Sequence, residues 1–465
     1  MFGFESGSEF MAYITFMFFG LSVMVATNSI LAAPSFFTEY YRYAQGDSEI
    51  EANDPSFWDN VLTFYNVVTF ATQFFGEAFM LTPLGRSIPL RPRLIVGFVI
   101  PFVEFLVLIF VPVAGTSEAG AKATVLVMAF VGGISVTLCE SSTNALAGPF
   151  PTKFFGAVMM GIGFSGVLFS LMQIIIKASM ADDFDSVLTQ SRIFFGVAMG
   201  MQLISCVLLV FMPRNEFARR FTAEFRYGHE VAAENQDALE DNEKEAAAEE
   251  HEADAQCMEP VLPKNTNVLT AEGDADDMKD VDQVDNITST EQMLNAQVGT
   301  VFVRIWPILL SCFAVFGASL LVYPGVFFAV DVHDGWYLTT VAAMFNLGDF
   351  VSRFSLQFKR FHPSPRVVVI GTVARWLVIP PLILCVRHII PGKVVPCILC
   401  LIWGLTNGYF GGMSMIYCPR TPSLTTAGQR SLAGIMAAVA LLLGLFVGSS
   451  LALAVKEGFP DDSDS

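Results

Sequence analysis

Apolar runs long enough to cross a bilayer recur along the chain, joined by short polar stretches. They lie near 10–32, 57–83, 93–114, 121–148, 153–179, 188–212, 301–329, 335–358, 366–386, 394–418 and 430–455. A helix needs about 20 predominantly apolar residues to span the hydrocarbon core. The pattern predicts an all-α polytopic membrane protein of about 11 transmembrane helices, six before a long polar segment and five after it. The expected organisation is a six-helix bundle over 1–213, an acidic loop over 214–300, a five-helix bundle over 301–456 and a short tail over 457–465. Several runs contain glycine or proline, which a bundle tolerates where neighbouring helices supply the missing contacts. Gly156, Gly161, Gly163 and Gly166 in the fifth run predict close helix packing.

Composition sharpens this picture. Of the 465 residues 53% are hydrophobic and 15% charged, where a soluble domain carries about a quarter charged. The formal charge of −18 does not describe a uniformly acidic surface. Between Arg214 and Thr300 there are 22 acidic and seven basic residues, so most of the charge belongs to that one segment. The stretch from Glu230 to Gln297 nearly lacks aromatic residues and cannot bury enough apolar surface to offset its ordering entropy, so it is expected to be a disordered cytosolic linker. Its sequon, Asn286-Ile-Thr288, is then a chance match, because the glycosylation machinery never meets it.

Lysine and arginine set the orientation. With the N-terminus inside, the inner joints hold Arg86, Arg91, Arg93, Lys153, Arg214, Arg219, Arg220, Arg226, Lys359, Arg360, Arg366, Arg420 and Arg430, and the outer joints hold far fewer. A multi-pass protein with a cytosolic N-terminus and an extracellular C-terminus is expected, in the plasma membrane. The first run has no basic region before it and no cleavage signature after it, so it is expected to remain as a span.

Polar side chains at membrane depth are costly and usually face a cavity or one another. In the eighth run Asn346, Asp349 and Arg353 are spaced i, i+3 and i+7 and share one helical face. Asp349 and Arg353 are also an i, i+4 pair, close enough for an ion pair that is structural, functional or both. A carboxylate beside a guanidinium suits a nucleoside: ribose offers vicinal hydroxyls to the acid, and a purine offers ring acceptors to the arginine. In the fourth run Glu140 and Asn144 share a face, with Thr137 one turn earlier; substrate contact and helix-to-helix hydrogen bonding are both open readings. Met24 and Asn28 lie on one face of the first run. Gln73, Glu77 and Glu104 are weaker candidates, and Arg375 is equally readable as a packing, snorkelling or substrate residue.

The five histidines lie in loops or at span ends without a metal-ligand spacing. No glycine-rich phosphate loop and no nucleophile–base array is present in the sequence. Cys397 and Cys400 form a CxxC without partner ligands inside an apolar run. No enzyme activity, cofactor, metal or nucleic-acid partner is expected.

Phe345-Asn346-Leu347-Gly348-Asp349-Phe350-Val351-Ser352-Arg353, followed by Ala374-Arg375 and Pro380, resembles the equilibrative nucleoside transporter family. Tyr323-Pro324-Gly325, Thr406-Asn407-Gly408-Tyr409 and Ala433-Gly434-Ile435-Met436-Ala437 match in order. The opening Phe16–Gly20 and the stretch Pro149–Phe154 look closest to kinetoplastid purine nucleoside transporters. The resemblance implies a major-facilitator-like fold with one span missing and substrate between the two halves. It implies that Asp349 and Arg353 contact substrate with Asn346 in support; Met24, Thr27, Asn28, Glu140 and Asn144 are the further candidates for substrate contact. Many relatives carry tryptophan where Thr27 stands and glutamine where Glu140 stands, so this chain has a titratable acid in place of a neutral amide. The expected partners are adenosine, inosine or guanosine, protons, with Glu140 and Asp349 as coupling candidates, and the lipid bilayer. The alternatives are a purine nucleobase carrier of the same fold, a channel, or a transporter-like nucleoside receptor.

Overall fold

Eleven long helices follow one another among the described residues: α1 (Gly7–Leu31), α2 (Val61–Met80), α3 (Leu90–Ala114), α4 (Glu118–Ala147), α5 (Thr152–Ser179), α6 (Phe184–Phe211), α7 (Val298–Val322), α8 (Gly335–Ser355), α9 (Pro365–Val386), α10 (Val394–Tyr417) and α11 (Ala427–Glu457). The structure, a computed structural model, describes residues 4–181, 183–222, 289–331 and 334–457. The central part of the acidic segment, 223–288, with the Asn286 sequon, and the tail 458–465 lie outside the described residues. Both flanks of that segment are helical, over Glu216–Phe221 and Ser289–Asn295.

Nine of the eleven helices are long and apolar enough to cross a membrane by length and composition alone. The other two are α2 and α8, 20 and 21 residues long, which carry Asn66, Gln73 and Glu77 or Asn346, Asp349 and Arg353. Those polar side chains lower the apolarity of the segments and point into protein rather than lipid. Glu77, Gln73, Glu140, Arg353 and Arg375 are buried, while Phe75, Phe110, Ile175, Val373 and Leu377 are exposed. That inside-out pattern is expected where lipid surrounds the bundle and charges must find protein.

The first six helices pack as one half, through α1 with α5 and α6, α2 with α4, and α3 with α4. The last five form the other, through α7 with α11 and α8 with α10. The halves meet along α5 against α8 and along α2 and α4 against α11. Close approach is built from glycine. A Cβ at Gly20 of α1 or Gly161 of α5 would overlap the backbone of the other helix. The next two glycines of α5 turn to the other half: a Cβ at Gly163 would lie 2.9 Å from Arg353 Cδ, and one at Gly166 2.9 Å from Asn346 Oδ1. The glycine stripe therefore serves two partners, α1 and α8, and lets the polar face of α8 meet α5.

Two helices break where their sequences lose regular hydrogen bonding. In α9 a 3₁₀ turn over Arg375–Val378 precedes Pro380 and Pro381, which cannot donate to the helical ladder. In α10 a π turn covers Asn407–Gly411 in a glycine-rich stretch. Such turns insert an extra residue and re-aim side chains.

At the face that carries the N-terminus the halves are closed against each other. Tyr13 Oη donates to Gln357 Oε1 at 2.8 Å. A Cβ at Gly434 of α11 would come within 2.6 Å of the Asn144 carbonyl of α4. Arg86, in the turn between α2 and α3, donates through Nη1 to the carbonyls of Met293 (2.8 Å) and Ala296 (3.0 Å). This caps the helix Ser289–Asn295, whose last carbonyls have no helical partner of their own.

Candidate functional site

Asp349 lies at the centre of a buried polar chain in the second half. Its Oδ2 accepts from Arg353 Nε at 2.7 Å, the i, i+4 contact expected from spacing. Its Oδ1 accepts from Asn407 Nδ2 of α10, also at 2.7 Å. Asn407 Oδ1 in turn accepts from Ser319 Oγ of α7 at 2.6 Å, and Ser319 Oγ accepts from Arg375 Nη2 at 2.8 Å. Arg375 is 2% exposed. It donates to the Val315 carbonyl through Nη1 and to Thr406 Oγ1 through Nε, and its guanidinium lies 4.3 Å from the Trp403 ring centroid. Arg375 therefore neither snorkels nor pairs with Glu140.

Arg353 has a further donor edge. Its Nη1 faces Met159 Sδ of α5 at 3.4 Å. A thioether is a weak acceptor, so this edge is poorly used by the protein itself. Across the interface Glu140 of α4, 1% exposed, lies within electrostatic range of Arg353. Neither carboxylate oxygen of Glu140 has a hydrogen-bond partner among the described residues.

Helices α2 and α4 run side by side in register. Thr69 Oγ1 donates to the Ala129 carbonyl at 3.2 Å, and Thr137 Oγ1 lies 3.4 Å from the Gln73 carbonyl. One turn further, the same register sets fully buried Glu77 beside the Ser141 backbone and within electrostatic range of both Glu140 and Arg93. Glu77 lies near that backbone, yet neither of its carboxylate oxygens reaches hydrogen-bond geometry with any described residue. Glu104 of α3 differs, because its Oε1 accepts from Tyr65 Oη at 2.5 Å.

The remaining expected residues separate into two groups. Asn346 donates to Ser170 Oγ and Asn28 to Ser165 Oγ, each at 2.7 Å, so both amides tie neighbouring helices to α5. Thr27 is buried and Met24 packs half-buried against the central core. Asn144 is buried at the crossing of α4 with α11, and its Nδ2 has no partner among the described residues. The fold thus brings Glu140, Asp349 and Arg353 together, while Asn28 and Asn346 are used in helix pairing. Asn407 and Ser319 were not among the expected site residues. Asn407 was visible only as part of Thr406–Tyr409, and Ser319 carried no signal, since a lone serine in an apolar run is ordinary.

The arrangement sets hydrogen-bond donors and acceptors of both charges at the contact between the halves. Among the described residues no group of three or more His, Cys, Asp or Glu side chains is placed to hold a metal ion.

The sequence model described as "Nucleoside transporter" matches residues 125–457. "Nucleoside transporter 2" of Crithidia fasciculata is 46% identical, over 98% of this chain and 95% of that protein. "Nucleoside transporter 2" of Leishmania donovani is also 46% identical, over 97% and 95%. "Adenosine transporter 1" of Crithidia fasciculata is 30% identical, over 97% and 94%. Among solved structures, the major facilitator proton:xylose symporter XylE, bound to 6-bromo-6-deoxy-D-glucose, aligns with a TM-score of 0.61 at 13% identity, covering 97% of this chain and 89% of that one. FucP of the same superfamily, in the outward conformation, aligns at 0.52 and 11%, covering 98% and 92%. At those identities the structural likeness shows the fold alone, a major-facilitator architecture. By its sequence the chain belongs to the nucleoside transporter family.

Proposed function

We propose that this nucleoside transporter carries purine nucleosides by alternating access, with a proton moving alongside, and that substrate sits between Glu140 of α4 and the Asp349–Arg353 pair of α8. The observation that carries the reading is a mismatch across the interface between the halves. Arg353 turns a donor edge toward a thioether, and opposite it buried Glu140 has no hydrogen-bond partner for either oxygen among the described residues. A buried polar group left unpaired is costly, and a ligand that pairs it recovers that cost. Ribose hydroxyls can donate to a carboxylate, and a purine ring nitrogen can accept from a guanidinium, so one nucleoside satisfies both sides. The relative named an adenosine transporter supports the purine preference.

The proton belongs at Glu140 rather than Asp349. Both Asp349 oxygens already accept hydrogen bonds, from Arg353 and from Asn407. Neither Glu140 oxygen accepts one among the described residues, so a proton relieves the cost of its burial. The basic residues at the N-terminal face support a cytosolic N-terminus with the C-terminus on the opposite side.

The test is uptake of labelled adenosine, inosine and guanosine in a transport-deficient host, with nucleobases as competitors and substrate-evoked current recorded across external pH. Glu140→Gln is expected to keep nucleoside binding and to lose the inward current with its pH dependence. Nucleobases competing as well as nucleosides would overturn the ribose contact, and a wild-type current in Glu140→Gln would move the proton elsewhere.

A further inference from the structure

We propose that Asn407 is a positioning residue for transport, one that fixes the rotamer of the Asp349 carboxylate by delivering a one-way chain of hydrogen bonds from Arg375. The inference rests on the reading that Asp349 serves the substrate site.

The direction of the chain follows from chemistry. Asn407 can present either its NH₂ or its oxygen to Asp349 Oδ1 at 2.7 Å. With the oxygen there, two acceptors would face each other at hydrogen-bond distance, so the NH₂ must point to the carboxylate. Its oxygen then faces Ser319 Oγ at 2.6 Å. Ser319 also lies 2.9 Å from the Val315 carbonyl and has one proton to give. Spending it on Val315 would again leave two acceptors in contact, so the proton goes to Asn407. Arg375 donates to Ser319. Every donor in the sequence Arg375, Ser319, Asn407 therefore points toward Asp349, and each bond polarises the next in the same sense.

The backbone is shaped for this contact. Gly408 follows Asn407, and a Cβ there would overlap the Asp349 carbonyl and Ser352 Oγ, so α10 meets α8 backbone to backbone at this level. The π turn that begins at Asn407 aims its side chain at α8. The result is a carboxylate gripped from two sides, by Arg353 on its own helix and by Asn407 from α10. Asp349 is then free to pivot only if one grip opens, and the lone pairs left to a ribose hydroxyl have a set direction.

A hydrogen bond to a charged group is worth about 10- to 100-fold in an equilibrium constant. Asn407→Leu, with similar volume and no donor, is expected to reach the membrane and lose uptake efficiency by about that factor. Asn407→Asp separates positioning from shape. At neutral pH it sets a second carboxylate against Asp349; when protonated, the introduced carboxyl can donate as the amide did. The charged groups facing this point are Asp349 and Arg353 of α8 and Arg375 of α9, with Glu140 of α4 in range of Arg353. Uptake by Asn407→Asp, expressed relative to wild type at each pH, is expected to recover as pH falls, whereas Asn407→Leu is expected to show a constant deficit. Wild-type uptake in Asn407→Leu overturns the proposal, as does an Asn407→Asp deficit that does not change with pH, which marks a role in packing alone. If Asn407→Leu fails to reach the membrane, Ser319→Ala removes the group that orients the amide; a loss of a few-fold is expected, and unchanged uptake overturns the proposal. Asp349→Asn is run in parallel: if it transports normally, the substrate reading of Asp349 has failed, independently of Asn407.

Discussion

The two halves of this transporter bury charge in opposite ways. In the second half Asp349, Arg353 and Arg375 are joined through Asn407 and Ser319 into one chain, and both Asp349 oxygens are occupied. In the first half Glu77 and Glu140 are buried as deeply, yet none of their four carboxylate oxygens has a hydrogen-bond partner among the described residues. Burying a carboxylate costs several kcal/mol unless partners compensate. On the proposed reading the second half supplies the fixed charge, and Glu140 of the first half takes its partner from outside, as substrate or a proton. A carrier needs both: fixed charge to recognise a polar solute, and charge that can change so that the empty and loaded forms differ.

The largest expected effect comes from neutralising Asp349, with Glu77 of the first half as its counterpart. Asp349→Asn leaves Arg353 and Arg375 buried without the anion they were arranged around, and breaking a buried pair costs about 3–5 kcal/mol. Uptake is expected to fall by about 100-fold or more, with the protein still at the membrane. Glu77→Gln removes a charge that no hydrogen bond supports, so it is expected to preserve folding and most uptake. Equal losses in the two mutants, by initial-rate uptake normalised to surface protein, would erase the contrast. Arg353→Lys refines it. A lysine keeps the charge but not the planar fork, which on the proposed reading serves Asp349 and substrate together, so affinity is expected to weaken about tenfold or more.

A smaller effect is expected where the halves are latched. Arg86 holds two carbonyls at the end of Ser289–Asn295, and that helix packs against α11. Arg86→Ala should lower thermal stability by a few degrees, since bonds from a charged donor contribute about 1.5–3 kcal/mol. It should also shift the carrier toward the conformation open at that face. Unchanged reactivity of a cysteine placed at Ser431 toward a membrane-impermeant thiol reagent would show that the latch does not govern opening.

The smallest effect is expected at the opposite face, where Lys393 bridges Asp331 at 2.7 Å and Asp334 at 2.5 Å on the exposed surface. Hydrogen bonds from Lys393 hold both carboxyls below their usual value. The clasp is thus fully formed above the ordinary carboxylate range and is lost as pH falls through the lowered values. Exposed pairs of this kind contribute little. Lys393→Ala is expected to leave uptake at neutral pH unchanged, and a marked loss would mean that this surface takes part in the transport cycle.

Much of this was legible before any coordinates. Nine of the eleven long helices follow from apolar run length, because transfer into lipid is a property of each segment taken alone; α2 and α8 fall short because they carry polar faces. The Asp349–Arg353 pair follows from helical periodicity, because residues four apart on one helix are neighbours whatever surrounds them. Arg375 was visible as costly, but its partners were not.

What the tertiary structure alone decided is which helix each polar face meets. Asn28 and Asn346 share faces with candidate site residues, yet both end on serines of α5, because the glycines there bring three backbones together. Asn407 lies 58 residues from Asp349 and Ser319 lies 88 from Asn407. No local period links such positions; their contacts depend on the depth and rotation at which α7, α8 and α10 pack, and on a π turn that changes the facing of α10 midway. Burial cost is local and can be read from sequence. The partner that offsets it is set by the packing of helices, a property of the whole bundle.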